Sequence, residues 1–412
     1  MSPPWPEPEP PPPADAVPAM TARLQYSLGP GAQRGAAIDN PLFDLLRAVH
    51  GTGSISQAIE VLGCSYRYAW GALKQWEATL GEPLILWIRG QRAQLTPFAE
   101  RLLWAEQRAR TRMQPHLEVL RADLNRMLAE ARDDQQQLLT VHASHDLALP
   151  LLQQHAQSQA ALHLNIRFQG SVDCLRALNA GRCAVAGFHV PALRGAAPVF
   201  SKALKPLLKP GTHKLIGCSR RRQGLMLRRE HAKLVAGLPD IGRLSLRFVS
   251  RQVGSGTRML VDHLLHEHAI DLAALPGYGD HVEETHVAVA ACIASGLADV
   301  GVGVEAAALE FGLHFVPLMD EEYFLVCLKP RLADPAVRRL CDLLAGTAWT
   351  ELLAGLPGYA PASAPGAVLR MTVALPWWRY TRPRPAPTAQ GLTQDPLQPD
   401  LAQVTTIPSA AA

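Results

Sequence analysis

Apolar residues recur at helical spacing in three short runs between positions 39 and 80, each bounded by residues that start or stop a helix. In 39–50, Leu42, Leu45, Leu46 and Val49 share one face. Ile55, Ala58, Ile59 and Leu62 make the second face, with Ser54 or Ser56 as its N-cap and Gly63 as its stop. Ser65 caps a third helix in which Tyr68, Ala69, Ala72, Leu73, Trp76 and Leu80 form the apolar stripe, leaving Tyr66, Arg67, Trp70, Lys74 and Gln75 on another face. Two helices joined by so tight a turn predict a helix-turn-helix, whose second helix fits the major groove of DNA. A β-rich run at 84–87, a turn with Arg89, Gly90 and Arg92, and a return through 93–95 predict a wing hairpin. Thr96 and Pro97 then open a helix to about 131, within which Pro115 is expected to produce a kink or break.

Beyond a polar hinge at 133–137 the rhythm becomes strands alternating with helices, the signature of a parallel or mixed sheet. Strands are expected at 138–143, 162–168, 184–188, 244–250 and 299–304, with helices at 146–159, 172–179, 259–268 and about 284–296. Residues 206–227 read as strands around a basic turn, Arg220 to Arg222, while 315–317 and 323–327 read as two returning strands. A helical region at 335–356 precedes a Pro/Ala-rich tail beginning at about 361, expected to be mostly disordered apart from an apolar patch at 373–380.

Composition sharpens this picture in three places. The 412 residues suffice for two or three domains, and 48% apolar content suffices for their cores. Eight prolines in the first 13 positions predict a disordered or polyproline leader over 1–36. Seven scattered cysteines without a CxxC pair or metal spacing predict a reduced cytoplasmic protein, and no apolar run approaches the roughly 20 residues that span a bilayer. Charge is distributed unevenly. Residues 38–136 carry 12 Lys/Arg against 12 Asp/Glu, so the DNA reader must place a few cations locally. Residues 194–258 carry 15 Lys/Arg against two acidic groups, whereas 259–328 carry 12 acidic groups and no Lys or Arg.

Candidate ligand chemistry sits at four small-residue junctions: Ser144-His145-Asp146, Gly170-Ser171-Val172-Asp173, Gly254-Ser255-Gly256-Thr257-Arg258, and Glu283-Glu284-Thr285-His286. Each sets a hydroxyl or backbone N–H groups near the positive end of a helix, where an anion is stabilised. Arg251 and Arg258 flank the glycine turn as counter-charges. No P-loop, GxGxxG, GxSxG or HExxH occurs, so no catalytic or metal-ligating set is expected. The DNA-contacting candidates are Ser54, Ser56, Ser65, Tyr66, Arg67, Trp70, Lys74, Arg89 and Arg92.

The run SISQAIEVLGCSYRYAWGALKQWEATLGEPLI, with the wing and LTPFAERLL, resembles the winged helix-turn-helix of molybdate-responsive (ModE-type) and LysR-type regulators. VHASHD, RFQGSVD, RQVGSGTR, GYGDHVEETHVAVAACIASGLADVGVG and LPGY resemble the periplasmic-binding-protein-like domain related to molybdate and tungstate binding proteins. The expected architecture is a multidomain α and α/β chain: leader 1–36, winged helix-turn-helix 37–97, linker and dimerisation helix 98–137, two-lobed α/β sensor 138–360 and tail 361–412. The resemblance implies a homodimeric regulator binding double-stranded DNA. Its effector would be a small anion held between the lobes, with molybdate, tungstate or a molybdenum-cofactor-related compound foremost and no covalent cofactor. The rival reading is a cytoplasmic anion-binding protein or an enzyme of molybdenum metabolism with a vestigial reader.

Overall fold

The computed structural model describes residues 40–86, 92–131, 137–160, 162–192, 197–271 and 275–378. The leader, the turn of the wing with Arg89, most of the polar hinge, and positions 379–412 lie outside the described residues. The chain forms two compact units, Met1–Arg110 and Thr111–Ala412.

The first unit follows its punctuation. Asn40 caps α1 (Pro41–Thr52), Ser54 caps α2 (Ile55–Leu62) and Ser65 caps α3 (Tyr66–Leu80), each side chain accepting from a backbone N–H of the first turn. Ser56 lies inside α2, so the cap is Ser54. Gly63, at φ 64°, stops α2 in the left-handed region that a side chain would strain. Leu42, Leu46, Val49, Ala58, Ala69 and Leu73 close the core with Leu84, Leu95 and Leu103. One expectation fails here: Tyr68 is 59% exposed, and Trp70 packs its ring partly against the core. In a 15-residue helix crossing a small core only a narrow stripe is covered, and Ala69 and Leu73 occupy it. The wing strands are short, β1 (Ile85–Leu86) antiparallel to β2 (Gln94–Leu95).

Thr96 starts α4 (Pro97–Ala131); its hydroxyl accepts from Ala99 N and donates to the Pro83 carbonyl. This helix runs unbroken through Pro115, from the first unit into the second.

In the second unit, β3 (Gln137–Ala143), α5 (Ala148–Ala160), β4 (Leu162–Phe168), α6 (Ser171–Asn179), β5 (Val185–Pro191) and α7 (Ala197–Leu204) build one half. Then come β6 (His213–Leu227), α8 (Leu238–Arg243), β7 (Phe248–Arg251), α9 (Gly256–Glu267), β8 (Val282–Glu283), α10 (His286–Ala294), β9 (Val300–Val304) and α11 (Glu305–Glu310). The chain returns through β10 (His314–Leu328), followed by α12 (Pro335–Ala345), α13 (Thr347–Ala354), β11 (Tyr359–Pro361), β12 (Val368–Leu369) and α14 (Met371–Ala374). The strand order is β4-β3-β5-β10-β6-β9-β7-β8, with β11 and β12 also on β6. Parallel strands form each end, and antiparallel β6 and β10, 15 residues each, pass between them. This is a two-lobed α/β domain joined by a two-stranded ribbon.

Adjacent ribbon residues alternate between the sheet's two faces. Leu215 and Val326 enter the core shared with α6, α7 and α9, while Ile216 and Leu325 enter the core shared with α5, α12 and α13. The ribbon corrects two expectations. Arg220 to Arg222 is no turn but the middle of β6, and the two returning strands are one. Opposite charges explain both, because Arg221 pairs in register with Glu321 and Arg222 with Asp320. The tail is also shorter than expected: β11 and β12 extend the sheet beyond 356, and Met371 and Leu375 are buried in the core.

Candidate functional site

Two surfaces carry the site residues, one in each unit. On the first unit, α3 exposes Tyr66, Arg67, Tyr68 and Lys74. Tyr66 stacks on Trp70 with ring centroids 6.1 Å apart, and the Lys74 ammonium lies 5.2 Å over the Trp70 ring. Lys74 also bonds Glu77, so part of its charge is spent within the helix. Ser54 and Ser65 use their hydroxyls as helix caps, while Ser56 is exposed. Val61, 71% exposed, adds an uncovered apolar residue beside the turn between α2 and α3. A stiff helix with aromatic, hydroxyl and cationic groups on its open side suits a nucleic-acid groove.

On the second unit, a cavity of about 80 Å³ opens between the lobes at the carboxyl ends of the parallel strands. One water needs about 10–15 Å³ by this measure, so the space suits a solute of a few non-hydrogen atoms. From the first lobe come Ser144 and His145 after β3, Phe168 and Gln169 at the end of β4, Gly170 and Ser171 at the start of α6, and His189 on β5. The second lobe supplies Arg251 at the end of β7 and Gln252 after it, Ser255, Gly256 and Thr257 at the start of α9, and Glu284, Thr285 and His286 at the start of α10. Arg221 enters from the ribbon and Pro115 from α4. The lobes meet at its rim, where a Cβ on Gly170 would lie 3.3 Å from the Gly254 carbonyl. Three helix N-termini, those of α6, α9 and α10, therefore face one small space, and their first N–H groups have no intrahelical acceptor.

Electrostatics give the cavity its sign. The Arg251 side chain donates one bond, Nη2 to the Glu284 carbonyl at 2.5 Å, while its buried Nε and Nη1 have no partner among the described residues. Burial and the charge of Arg221 push its pKa down to about 9, so it stays cationic at neutral pH. Behind it, Arg221 donates Nε to Glu321 at 2.9 Å and Nη1 to Asp146 at 3.0 Å, all three groups being buried. Gln223 donates to the same Glu321 oxygen at 2.7 Å and to the Thr257 hydroxyl at 3.1 Å. Arg221 is thus paired with two carboxyl groups, whereas Arg251 forms no ion pair among the described residues. Three imidazoles, His145, His189 and His286, line the cavity; burial lowers the pKa of each, with Arg251 adding to the effect on His145 and His286. His145 and His286 also leave a buried Nδ1 without a partner among the described residues.

Among the sequence-predicted ligand residues, Ser144, His145, Gly170, Ser171, Arg251, Ser255, Gly256, Thr257, Glu284, Thr285 and His286 line this cavity. Two do not. Gly254 stands at the rim, and Arg258 turns away to bond Asp262 and lie 4.3 Å over the Tyr278 ring. His189 and Arg221 escaped the sequence reading, as each sits within a strand and no junction marks it. A usable signal was the polar centre of two long apolar strands, 219–223 and 320–322. No group of three or more His, Cys, Asp or Glu among the described residues has metal-binding geometry, and no helix among them is long and apolar enough to cross a membrane.

Comparison with known proteins supplies the wider setting. Residues 42–100 match the family model described as bacterial regulatory helix-turn-helix protein, lysR family, and residues 152–345 match that of the PBP superfamily domain. The uncharacterized protein YvgK of Bacillus subtilis (strain 168) is 29% identical over 215 residues, 52% of this chain and 68% of that protein. An uncharacterized protein from the 5′ region of the ferredoxin 2Fe-2S gene of Clostridium pasteurianum is 35% identical over 101 residues, 23% of this chain and 88% of that protein. Among solved structures, a hydrogen-peroxide-bound cysteine mutant of Corynebacterium glutamicum OxyR aligns over 76% of this chain and 94% of its own, at 15% identity and a TM-score of 0.39.

Proposed function

We propose, from the premise that this chain is a LysR-type transcriptional regulator whose lysR-family helix-turn-helix is joined to a PBP superfamily domain, that its effector is a small anion bound between the two lobes. The observation that carries this reading is Arg251, a buried guanidinium with two donors that have no partner among the described residues, lining a cavity onto which three helix N-termini open. An unpaired buried charge is costly, and a bound anion removes that cost. Helix N-termini and hydroxyls complete the shell without a second cation. Tetrahedral oxyanions, molybdate and tungstate included, suit the size. Thermal unfolding with each of molybdate, tungstate, sulfate and phosphate tests this: a ligand at about 100 times its Kd should add about 2.7 kcal/mol. No shift with any small anion removes the anionic effector and leaves the DNA reader intact.

Effector binding has a route to the helix that leads from the DNA reader. The Arg112 guanidinium of α4 grips Glu283 at the end of β8, with Nη2 2.6 Å and Nε 3.0–3.1 Å from the carboxylate, one residue before Glu284 enters the cavity wall. Farther along α4, Asp123 accepts from Arg167 on β4 at 2.7 Å. The part of α4 within the second unit is thereby tied to both lobes, and a ligand that favours their closure biases the helix between two positions. Leu120, Leu124 and Met127, 59%, 36% and 51% exposed, form an uncovered stripe at helical spacing. A second copy of α4 would cover it, giving a dimer that matches a palindromic DNA site.

On the DNA side, Arg67 is exposed on α3 and no hydrogen bond or ion pair to it appears among the described residues. Arg67→Ala should weaken binding to the cognate operator by about 1–3 kcal/mol and relax its sequence preference, as loss of a bidentate base contact does. Electrophoretic mobility shifts with specific and scrambled DNA check this. Equal loss on both would assign Arg67 to phosphate contact alone.

A further inference from the structure

One chain of hydrogen bonds behind the cavity bears on the protonation state of the anion it would hold. Asp146 is buried and accepts at four points: Ala148 N on Oδ1 at 2.8 Å, and His189 Nε2 at 3.0 Å, Arg221 Nη1 at 3.0 Å and the Tyr359 hydroxyl at 3.3 Å on Oδ2. Burial alone would raise its pKa, but the His189 bond and the Arg221 charge outweigh this and hold it at about 2. An ionised carboxylate only accepts, so His189 Nε2 carries a hydrogen. The ring is buried beside Arg221, which favours its neutral form, and the lone pair of a neutral imidazole then sits on Nδ1. The Ser144 hydroxyl, 2.9 Å from that Nδ1, must donate to it. Ser144 N is also committed, to the Gly187 carbonyl. What Ser144 offers the cavity is therefore a lone pair of Oγ and no hydrogen.

The cavity's fixed donors lie elsewhere: Arg251 Nε and Nη1, and those first-turn amides of α6, α9 and α10 that the Ser255 and Thr285 caps leave open, while Nδ1 of His145 and of His286 can donate or accept according to tautomer. An anion that brings only oxygen lone pairs satisfies those donors but opposes lone pair to lone pair at Ser144. An anion with one hydroxyl of its own satisfies both sides. We propose that the cavity selects anions carrying an O–H, the class of hydrogen phosphate and hydrogen arsenate, over fully deprotonated oxyanions such as sulfate, molybdate and tungstate, and that the Ser144–His189–Asp146 chain is the selecting element. Small hydroxy acids share the chemistry, and the probes separate them from mineral oxyanions. This rests on the anionic-effector reading above.

Calorimetric titration of the full chain with hydrogen phosphate, hydrogen arsenate, sulfate, molybdate and tungstate, and with glycolate against acetate, tests the selection. Sites built around a ligand hydroxyl reject analogues lacking it by large factors. Hydrogen phosphate should therefore bind at least about 100-fold tighter than sulfate, molybdate or tungstate, or glycolate than acetate by a similar factor. Ser144→Ala should weaken the hydroxyl-bearing ligand at least 10-fold while leaving sulfate within about threefold, and Ser144→Thr, which keeps the oxygen, should retain the preference. Sulfate, molybdate or tungstate binding as tightly as every hydroxyl-bearing probe overturns the selection. A preference that persists unchanged in Ser144→Ala overturns the role of the chain. Absence of binding by every probe overturns the anionic reading as well, so the two failures are distinct.

Discussion

Arg251→Met should make the ligand-free protein more stable, by about 1–4 kcal/mol, and at the same time remove its response to anions. The two effects share one cause. Arg251 is 7% exposed, its neighbour Arg221 is a like charge, and its Nε and Nη1 have no partner among the described residues. Methionine fills a similar volume without charge. The sign with pH follows from the depressed pKa: the folded state binds the Arg251 proton more weakly than the unfolded chain does. Its penalty is therefore present in full below about pH 9 and fades as pH rises through about 9. Urea unfolding at neutral pH with and without phosphate measures both effects. A variant less stable than the parent, or one still stabilised by the anion, would show that Arg251 is not the anion's counter-charge.

Arg221→Met should behave in the opposite way, costing about 3–5 kcal/mol, because it strips the cation from two buried carboxyl groups. Arg221 pairs with Glu321 across the ribbon and reaches the buried Asp146 between β3 and α5. The parent's Asp146, held at about 2, contributes stability that is complete above its ordinary carboxylate value and is lost as pH falls through about 2. Without Arg221 that carboxyl titrates at a higher pH, and the acid limb of the stability profile moves up with it. Denaturation curves between pH 3 and 7 for both proteins test this. A loss below about 1 kcal/mol at neutral pH would mean that the carboxylates find other partners.

The contrast between these two arginines also explains what the sequence can and cannot disclose. Helices α1 to α3 were legible because Ser54, Ser65 and Gly63 bracket short amphipathic runs, and local hydrogen bonds decide where such helices begin and end. Most of the cavity was legible for a related reason: at strand-to-helix junctions such as Ser255 to Thr257, small residues and hydroxyls are a local requirement. The ribbon was not. Arg220 to Arg222 and Asp320 to Glu322 look like solvated turns in one dimension, and only their cross-strand register makes them strand interiors. His189 is hidden likewise, a polar residue in an apolar strand whose partners, Ser144 and Asp146, lie over 40 positions away. Tyr68 and Trp70 misled in the other direction, since helical period gives a stripe but not its width.

The segment from Tyr359 to Leu369 covers a sheet edge that would otherwise be open to strands of other chains. One edge of β6 is sealed by β10 along its whole length, but on the other edge β9 covers only Gln223 to Leu227. Residues Leu215 to Arg221 would present a row of open amides and carbonyls flanked by buried apolar side chains, a template for strand addition by another chain. β11 and β12 occupy that row at Ser219 to Arg221 and at Leu215 and Ile216, and Gly217, between them, accepts from Gly366 N and donates to the Ala367 carbonyl. A chain ending before Tyr359 would keep its cavity-lining residues and its DNA reader yet acquire an adhesive edge, so the last strands serve as a guard against intermolecular sheet growth.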